Sequence, residues 1–183
     1  MDPQKSVPTM LELRKASVAI KDDAKRAYFR EETDRVLKDM LGLHLEALSE
    51  REFVSRGEKL ELEVKILQRS ALEETISLDH IEWRSQKEDV NKALPVNDIY
   101  SVKLESVVAA DLSQPYWLVH EFENLYQVKD MKMIGKPEND PSIHIDVFLR
   151  VGDQLLSYKV PARYKFSNRV EGEIIRPVVV VPP

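Results

Sequence analysis

The stretch Gly57-Glu-Lys-Leu-Glu-Leu-Glu-Val-Lys-Ile66 decides the fold of this chain. From Lys59 onward, charged and apolar residues alternate without exception. One face of the stretch therefore carries four apolar side chains, those of Leu60, Leu62, Val64 and Ile66. A period of two is typical of a strand in an antiparallel sheet that has one face in a core and the other in water. We predict such a half-buried strand here.

Similar alternation continues from Gly42 almost to the C-terminus. It predicts further strands, which cover residues 43–47, 58–69, 74–83, 99–109, 143–151, 154–160, 163–166 and 173–181. The apolar phase slips at Asp79-His80, which predicts a β-bulge. Val151-Gly-Asp-Gln154 has the composition of a hairpin turn. The polar run Ser85–Asp98 is interpreted as a loop.

Short strands joined by polar loops, without helices between them, predict a mainly-β fold. We expect an antiparallel, immunoglobulin-like β-sandwich of two sheets packed face to face. Its core should contain the apolar faces of the two clearest strands, namely Leu60, Leu62, Val64, Ile66, Ile145, Val147 and Leu149. A slip of one residue would exchange the core and solvent faces of a strand, so the burial of these residues tests the assignment directly.

The N-terminal part of the chain has a helical period instead. Apolar residues recur there at intervals of three and four, and the opposite face is charged. This pattern predicts one amphipathic helix, or two with a break near Lys21–Asp23. Thr9 and Glu12 fit a capping box at its start, and Gly42 suits the position just after its end. The predicted apolar stripe consists of Leu13, Ile20, Ala24, Phe29, Val36 and Met40.

We divide the chain into a helical linker or docking segment, residues 1–41, and a β-sandwich domain, residues 42–183. Burial of each large apolar side chain of the stripe is worth roughly 1.5–3 kcal/mol, so the helix should dock on something. The candidates are the sandwich of the same chain, a preceding domain and the same helix of a second copy. We slightly favour the last of these, which would make the isolated chain a dimer.

The composition limits what the chain can do. Its 27 Lys and Arg against 32 Asp and Glu give a net charge of −5, which argues against a nucleic-acid partner. No apolar run approaches the roughly 20 residues that a membrane span needs. The chain has no cysteine, so disulfides, thiolate nucleophiles and Cys-ligated zinc are excluded.

The sequence carries no catalytic motif of the nucleophile-elbow, dinucleotide-binding or P-loop kind. Its histidines lack the spacing of a metal-binding pair on a helix, and His144 with Asp146 offers at most half a metal site. We predict no catalytic residue and no metal site. The candidates for ligand contact are Tyr116 and Trp117, because sugars stack on exposed aromatic rings. The alternative is that these two side chains close one end of the sandwich core.

Four segments, read in order, resemble one protein family. They are Leu41-Gly-Leu-His-Leu-Glu-Ala47, Gln114-Pro-Tyr-Trp-Leu118, Gly135-Lys-Pro-Glu138 and Val160-Pro-Ala-Arg-Tyr-Lys-Phe-Ser-Asn-Arg-Val-Glu-Gly-Glu-Ile-Ile-Arg-Pro177. This order is similar to the C-terminal accessory region, a helical linker plus β-sandwich, of large bacterial PIG-L/LmbE-like deacetylase proteins, especially those of Bacteroidetes. The resemblance covers most of the chain, from about Leu11 to Pro183.

The catalytic domain of that family carries a zinc motif of the Ala-His-Pro-Asp-Asp type. No His-Pro-Asp occurs here, so no catalytic residue is carried over. The resemblance implies a non-catalytic accessory module of a larger zinc-dependent hydrolase of N-acetylated sugars, with the zinc in the parent's catalytic domain and no cofactor in this chain.

The resemblance also implies a role in domain packing or in presentation of the enzyme, with the parent's catalytic domain as the partner. A periplasmic or secreted location is implied in the same way. Two other functions stay open. The chain could be a carbohydrate-binding module that uses Tyr116 and Trp117, or an adaptor that binds another protein through an edge strand.

Overall fold

The structure is a computed structural model that describes residues 3–70, 75–84, 86–121 and 125–183. Two α-helices come first, α1 (Val7–Ala16) and α2 (Asp23–Met40). The strands that follow are β1 (His44–Ser49), β2 (Phe53–Ser55), β3 (Lys59–Leu67), β4 (Ile76–Trp83), β5 (Gln86–Ala93), β6 (Ile99–Val107), β7 (His144–Val151), β8 (Gln154–Asn168), β9 (Gly172–Pro177) and β10 (Val179–Val181). This order confirms a mainly-β chain that begins with a helical segment. No helix in the described ranges is long and apolar enough to cross a lipid bilayer.

The helical segment is two helices, and they separate where the sequence predicts a break. Ile20 is extended, and α2 begins after Asp22, whose carboxylate accepts the backbone N–H of Lys25 at 2.9 Å. This is an N-cap that satisfies one of the free donors at the start of the helix. The predicted capping box at Thr9 is wrong, because α1 already begins at Val7.

Gly42 ends the helical segment as predicted. Its φ is +57°, the left-handed conformation that favours glycine after a helix. A Cβ at this position would also lie 3.0 Å from the Cβ of Arg69. Both conditions favour glycine at the point where the helical period gives way to strands.

The buried face of the two helices is not the predicted stripe. Leu13 and Val36 are 44% and 38% exposed, and Ala24 also faces water, while Ile20, Phe29 and Met40 are only half-buried. The residues buried in their place recur mostly at intervals of three or four within each helix, and they are Val7, Leu11, Arg14, Ser17, Thr33, Asp34, Leu37 and Leu41. The apolar pattern indicates the wrong face of the helices, because the buried face contains the oppositely charged residues Arg14 and Asp34.

A buried polar network holds α1 and α2 to the hairpin between β7 and β8. The Arg14 guanidinium donates to both carboxylate oxygens of Asp34, at 2.5 and 3.3 Å. It also donates to Gln154 Oε1 and to the carbonyl of Leu155, each at 3.1 Å. Gln154 completes the network by donating from Nε2 to the carbonyl of Leu11 at 2.8 Å. All of the polar groups named here have partners, which a charge pair needs in order to be buried.

The strand faces follow the sequence prediction. All seven predicted core residues are at most 1% exposed. Leu45 and Ala47 of β1 and Leu43 just before it are buried in the same alternation. The predicted bulge is present, since the register of β4 shifts between Leu78 and His80 against both of its neighbours. The predicted hairpin turn joins β7 to β8, with Gly152 at a φ of +58°.

The sheet topology corrects the expectation of purely antiparallel pairing. Among the described strands, the order in the larger sheet is β5-β4-β7-β8-β1-β3-β6, with β9 also beside β8. β1 runs parallel to β8, with Ala47 opposite Ala162. β2 and β10 form a separate parallel pair, with Val54 opposite Val180. Each parallel pair joins strands from distant parts of the chain, and alternation carries no information about strand direction.

The region predicted as a loop, Ser85–Asp98, contains strand β5. β5 pairs with β4 in antiparallel register and lies at one end of the strand order. Seven of its eight residues are exposed, so neither face imposes an apolar period. Charged residues on an edge strand hinder pairing with other chains. A solvated edge strand and a polar loop therefore look alike in sequence.

The described chain forms two compact units. Unit 1 contains residues 1–46, 64–102 and 145–160, which include both α-helices, β4 and β5. Unit 2 contains residues 47–63, 103–144 and 161–183, which include β2, β9 and β10. The division of the chain at residue 41 into a linker and a domain stays a prediction.

Candidate functional site

The two predicted aromatic residues lie in a short 3-10 helix of unit 2, Tyr116–Leu118. Pro115 precedes it, and its carbonyl accepts the N–H of Leu118 at 2.9 Å. Proline fixes φ in the range that such a turn needs, so the sequence Gln-Pro-Tyr-Trp favours this local structure. Neither aromatic residue is fully buried.

The loop that precedes β7 holds this helix in place. The N–H of Tyr116 donates to Asn139 Oδ1 at 2.9 Å, and Asn139 Nδ2 donates to the carbonyl of Gln114. The phenol of Tyr116 donates to the carbonyl of Lys136 at 3.1 Å. Both ends of Tyr116 are therefore tied to the loop, which makes it a support for its neighbour.

Trp117 is half-buried and is the aromatic residue of the pair that lines a groove. Its ring meets that of Tyr116 edge to face, with centroids 4.8 Å apart and planes at 87°. Trp117 lines a groove of about 300 Å³.

Prolines and short polar side chains form the walls of this groove, which we call the Trp117 groove. Four prolines line it, at positions 115, 137, 141 and 177. The polar residues of the wall are Ser113, Gln114, Glu138, Asn139, Asp140 and Ser142. Because proline has little backbone freedom, a wall of this composition loses little entropy when a ligand binds.

Hydrogen bonds connect Ser113 of the groove wall to β10. Ser113 and Val180 exchange two hydrogen bonds of 2.9 Å, from Ser113 N–H to the Val180 carbonyl and from Val180 N–H to Ser113 Oγ. Ser113 Oγ also lies 2.8 Å from Ser142 Oγ. These contacts connect the segment before Trp117, the loop before β7 and the last strand, all within unit 2.

The two carboxylates of the groove wall differ in their surroundings. Lys136 Nζ donates to both oxygens of Asp140, at 2.9 and 3.0 Å, so most of that charge is compensated locally. Among the residues that the structure describes, no ion pair engages Glu138. Glu138 is therefore the uncompensated charge of the groove.

The sequence indicates Tyr116 and Trp117 but not most of the residues that surround them in the structure. The segment Gly135–Glu138 is noted only for its resemblance to a protein family, without any link to the aromatic pair. Ser113, Ser142 and the residues after Pro177 are missed altogether. No local pattern marks them, since hydrogen bonds between distant segments bring them together.

No metal centre is found in the described ranges, where no three His, Asp or Glu side chains come together in a way that could hold an ion. His144 is the first residue of β7 and Asp146 follows on the same strand, with no third such group beside them. Part of the other acidic segment with a histidine, His120–Glu123, lies outside the described residues.

A second polar cluster lies at the β-bulge of unit 1. His80 is 7% exposed and stacks on Phe148, with ring centroids 4.1 Å apart. Its Nδ1 is 2.7 Å from Asp79 Oδ2, and its Nε2 is 3.3 Å from Glu82 Oε1. Arg150 donates to the other oxygen of Asp79 at 2.6 and 3.2 Å. We assign this cluster to stability, because its charged groups are paired with one another.

The cluster predicts a pH dependence of stability. Hydrogen bonds from His80 and Arg150 hold the pKa of Asp79 below its usual range. A lowered pKa means that the carboxylate stabilises the fold fully above the unfolded-state pKa, about 3.9, and less as the pH falls toward the folded-state pKa. We expect the melting temperature of Asp79→Asn to lie below that of the wild type at neutral pH.

The difference in melting temperature should shrink between about pH 5 and about pH 2, as thermal unfolding followed by circular dichroism would show. Asp98→Asn, a change at an exposed residue of unit 1, controls for the loss of one carboxylate. A difference that stayed constant down to the lowest pH would contradict the assignment.

Comparison with known proteins gives no family for the chain. No family model and no curated protein matches it. Among solved structures, it is similar to part of the Pseudomonas fluorescens alkylpurine DNA glycosylase AlkC bound to DNA containing an abasic site analog. The sequence identity is 11% and the TM-score 0.26, over 83% of this chain and 41% of the glycosylase. A similarity at this level carries no argument about fold or function.

Proposed function

We propose that this chain is a non-catalytic, carbohydrate-binding accessory module, and that the Trp117 groove is its binding site. The observation that carries the proposal is a half-buried indole ring that lines a groove together with four prolines and several polar side chains. Pyranose rings present apolar C–H faces that pack on aromatic rings, while serine, amide and carboxylate groups bind hydroxyls. The groove offers both kinds of contact.

The proposal places the module in a larger PIG-L/LmbE-like zinc-dependent deacetylase of N-acetylated sugars. That part rests on the sequence resemblance alone. It assigns the zinc and the catalytic residues to the parent's catalytic domain and implies a periplasmic or secreted protein. It also implies that the strands belong to an immunoglobulin-like β-sandwich. The reading frame upstream of Met1 should then encode a His-Pro-Asp-Asp motif, and an upstream frame without it would contradict this part.

Binding to a glycan array tests the groove itself. We expect the wild type to bind at least one polysaccharide class and Trp117→Ala to bind it about tenfold more weakly or worse, because a central aromatic anchor contributes a large share of the binding energy. The matched control is Tyr28→Ala, which removes an aromatic side chain that is 67% exposed on α2. Equal binding by the Trp117 variant, or no binding by the wild type, would contradict the proposal.

One further observation favours domain packing as a second role. Several large apolar side chains of unit 2 face water between β6 and β7, and they are Leu112, Leu118, Leu125, Met131 and Ile134, each 47–79% exposed. A high density of exposed apolar residues in one segment of the chain favours an interaction surface there. If they contact the parent's catalytic domain, amide hydrogen exchange of residues 125–134 should slow in the full-length protein relative to the isolated chain. Identical exchange rates would argue for the binding role alone.

A further inference from the structure

The Trp117 groove carries negative charge in its wall. Two carboxylates line the groove, and Lys136 compensates only that of Asp140. Glu138 keeps an uncompensated negative charge in the same wall. Among the described residues that line the groove there is no Lys or Arg, so a negatively charged sugar would meet repulsion from Glu138.

The indole of Trp117 acts in the same direction as Glu138. The face of an aromatic ring carries partial negative charge and attracts cations, most strongly in tryptophan. A ligand cation in the groove would therefore gain from the ring and from the carboxylate together. A neutral ligand would gain only stacking and hydrogen bonds.

We infer that the groove prefers saccharides whose sugar units carry a free, protonated amine over neutral or N-acetylated ones. The inference rests on the proposed carbohydrate site and adds its ligand class. Trp117 and Glu138 line the same groove, and the ammonium group of a hexosamine is attached to the ring that stacks. Acetylation converts the ammonium into a neutral amide and removes both attractions.

The test compares two oligosaccharides of equal length, one of glucosamine and one of N-acetylglucosamine, by titration calorimetry with the full chain. At about pH 6 an aliphatic amine is largely protonated. We expect the glucosamine oligomer to bind about twofold to fivefold more tightly, the range expected for an exposed charge pair. Added salt should reduce this preference, because it screens exposed charges.

Glu138→Gln isolates the carboxylate without changing its size. It should lower the affinity for the glucosamine oligomer by about twofold to fivefold and leave the affinity for the acetylated one unchanged. Glu88→Gln is the matched control, since Glu88 is exposed on β5 and is not among the residues that line the groove.

The outcomes separate this inference from the proposed function. Equal affinities for the two oligomers, both reduced by Trp117→Ala and neither by Glu138→Gln, would overturn the amine preference and leave the carbohydrate site standing. Binding of neither oligomer, nor of any other saccharide, would overturn both.

Discussion

Replacing Asp34 with alanine is expected to lower the free energy of unfolding by about 3–5 kcal/mol, because it leaves the buried Arg14 guanidinium without its countercharge. Arg14 is 7% exposed and receives support from Gln154 and Leu155 only through neutral oxygen atoms. A cation in such a place has lost most of its hydration. Urea unfolding of the wild type and the variant would measure the loss.

Two further variants show whether the loss comes from the buried charge. Asp153→Ala breaks the exposed pair between Lys15 of α1 and Asp153 of the turn between β7 and β8, and it should change stability little. The double variant Arg14→Met with Asp34→Leu should recover most of the loss, because apolar side chains of similar size can replace a buried ion pair. A loss below about 1 kcal/mol in Asp34→Ala would mean that water reaches Arg14 and that the network is not structural.

Leu62→Ala is expected to cost about 2–5 kcal/mol in the free energy of unfolding. Leu62 is 0% exposed in the middle of β3, so truncation removes apolar contacts and leaves a cavity. The loss should appear as an earlier midpoint of unfolding in denaturant, with the same slope, if the unfolded state is unchanged.

Glu61→Ala is the control for the strand face. Glu61 is adjacent to Leu62, points the other way and pairs with Lys103 at 2.7 Å on the exposed surface. Its loss should be small compared with that of Leu62→Ala. Similar losses from the two variants would contradict the assignment of the core face.

Alternation predicted the strand faces because burial on one side of a sheet imposes a period of two on every residue. The same logic failed for the helices, where Arg14 and Asp34 occupy core positions that a search for apolar residues passes over. It failed again for β5, which has no buried face. The sequence also did not indicate which strands pair, because the parallel contact of Ala47 with Ala162 joins segments that are far apart in the chain.

The candidate site shows the same division between local and distant information. Aromatic residues after a proline identify Tyr116 and Trp117 as unusual within one short segment. Pro177, Ser113 and Ser142 line the groove from three segments that share no motif. A single sequence gives no sign that these segments meet.

The two parallel strand pairs have a consequence for the order of events during synthesis. β1 and β2 leave the ribosome early, but their partners β8 and β10 lie near the end of the described chain. Contacts between distant segments form slowly, since the entropy of closing a long loop is lost before they form. The edges of β1 and β2 that pair with β8 and β10 therefore stay unpaired until those strands have been synthesised. Their exposure in that interval makes this protein a candidate for chaperone assistance, and a chain that ends before β8 would leave β1 without its parallel partner.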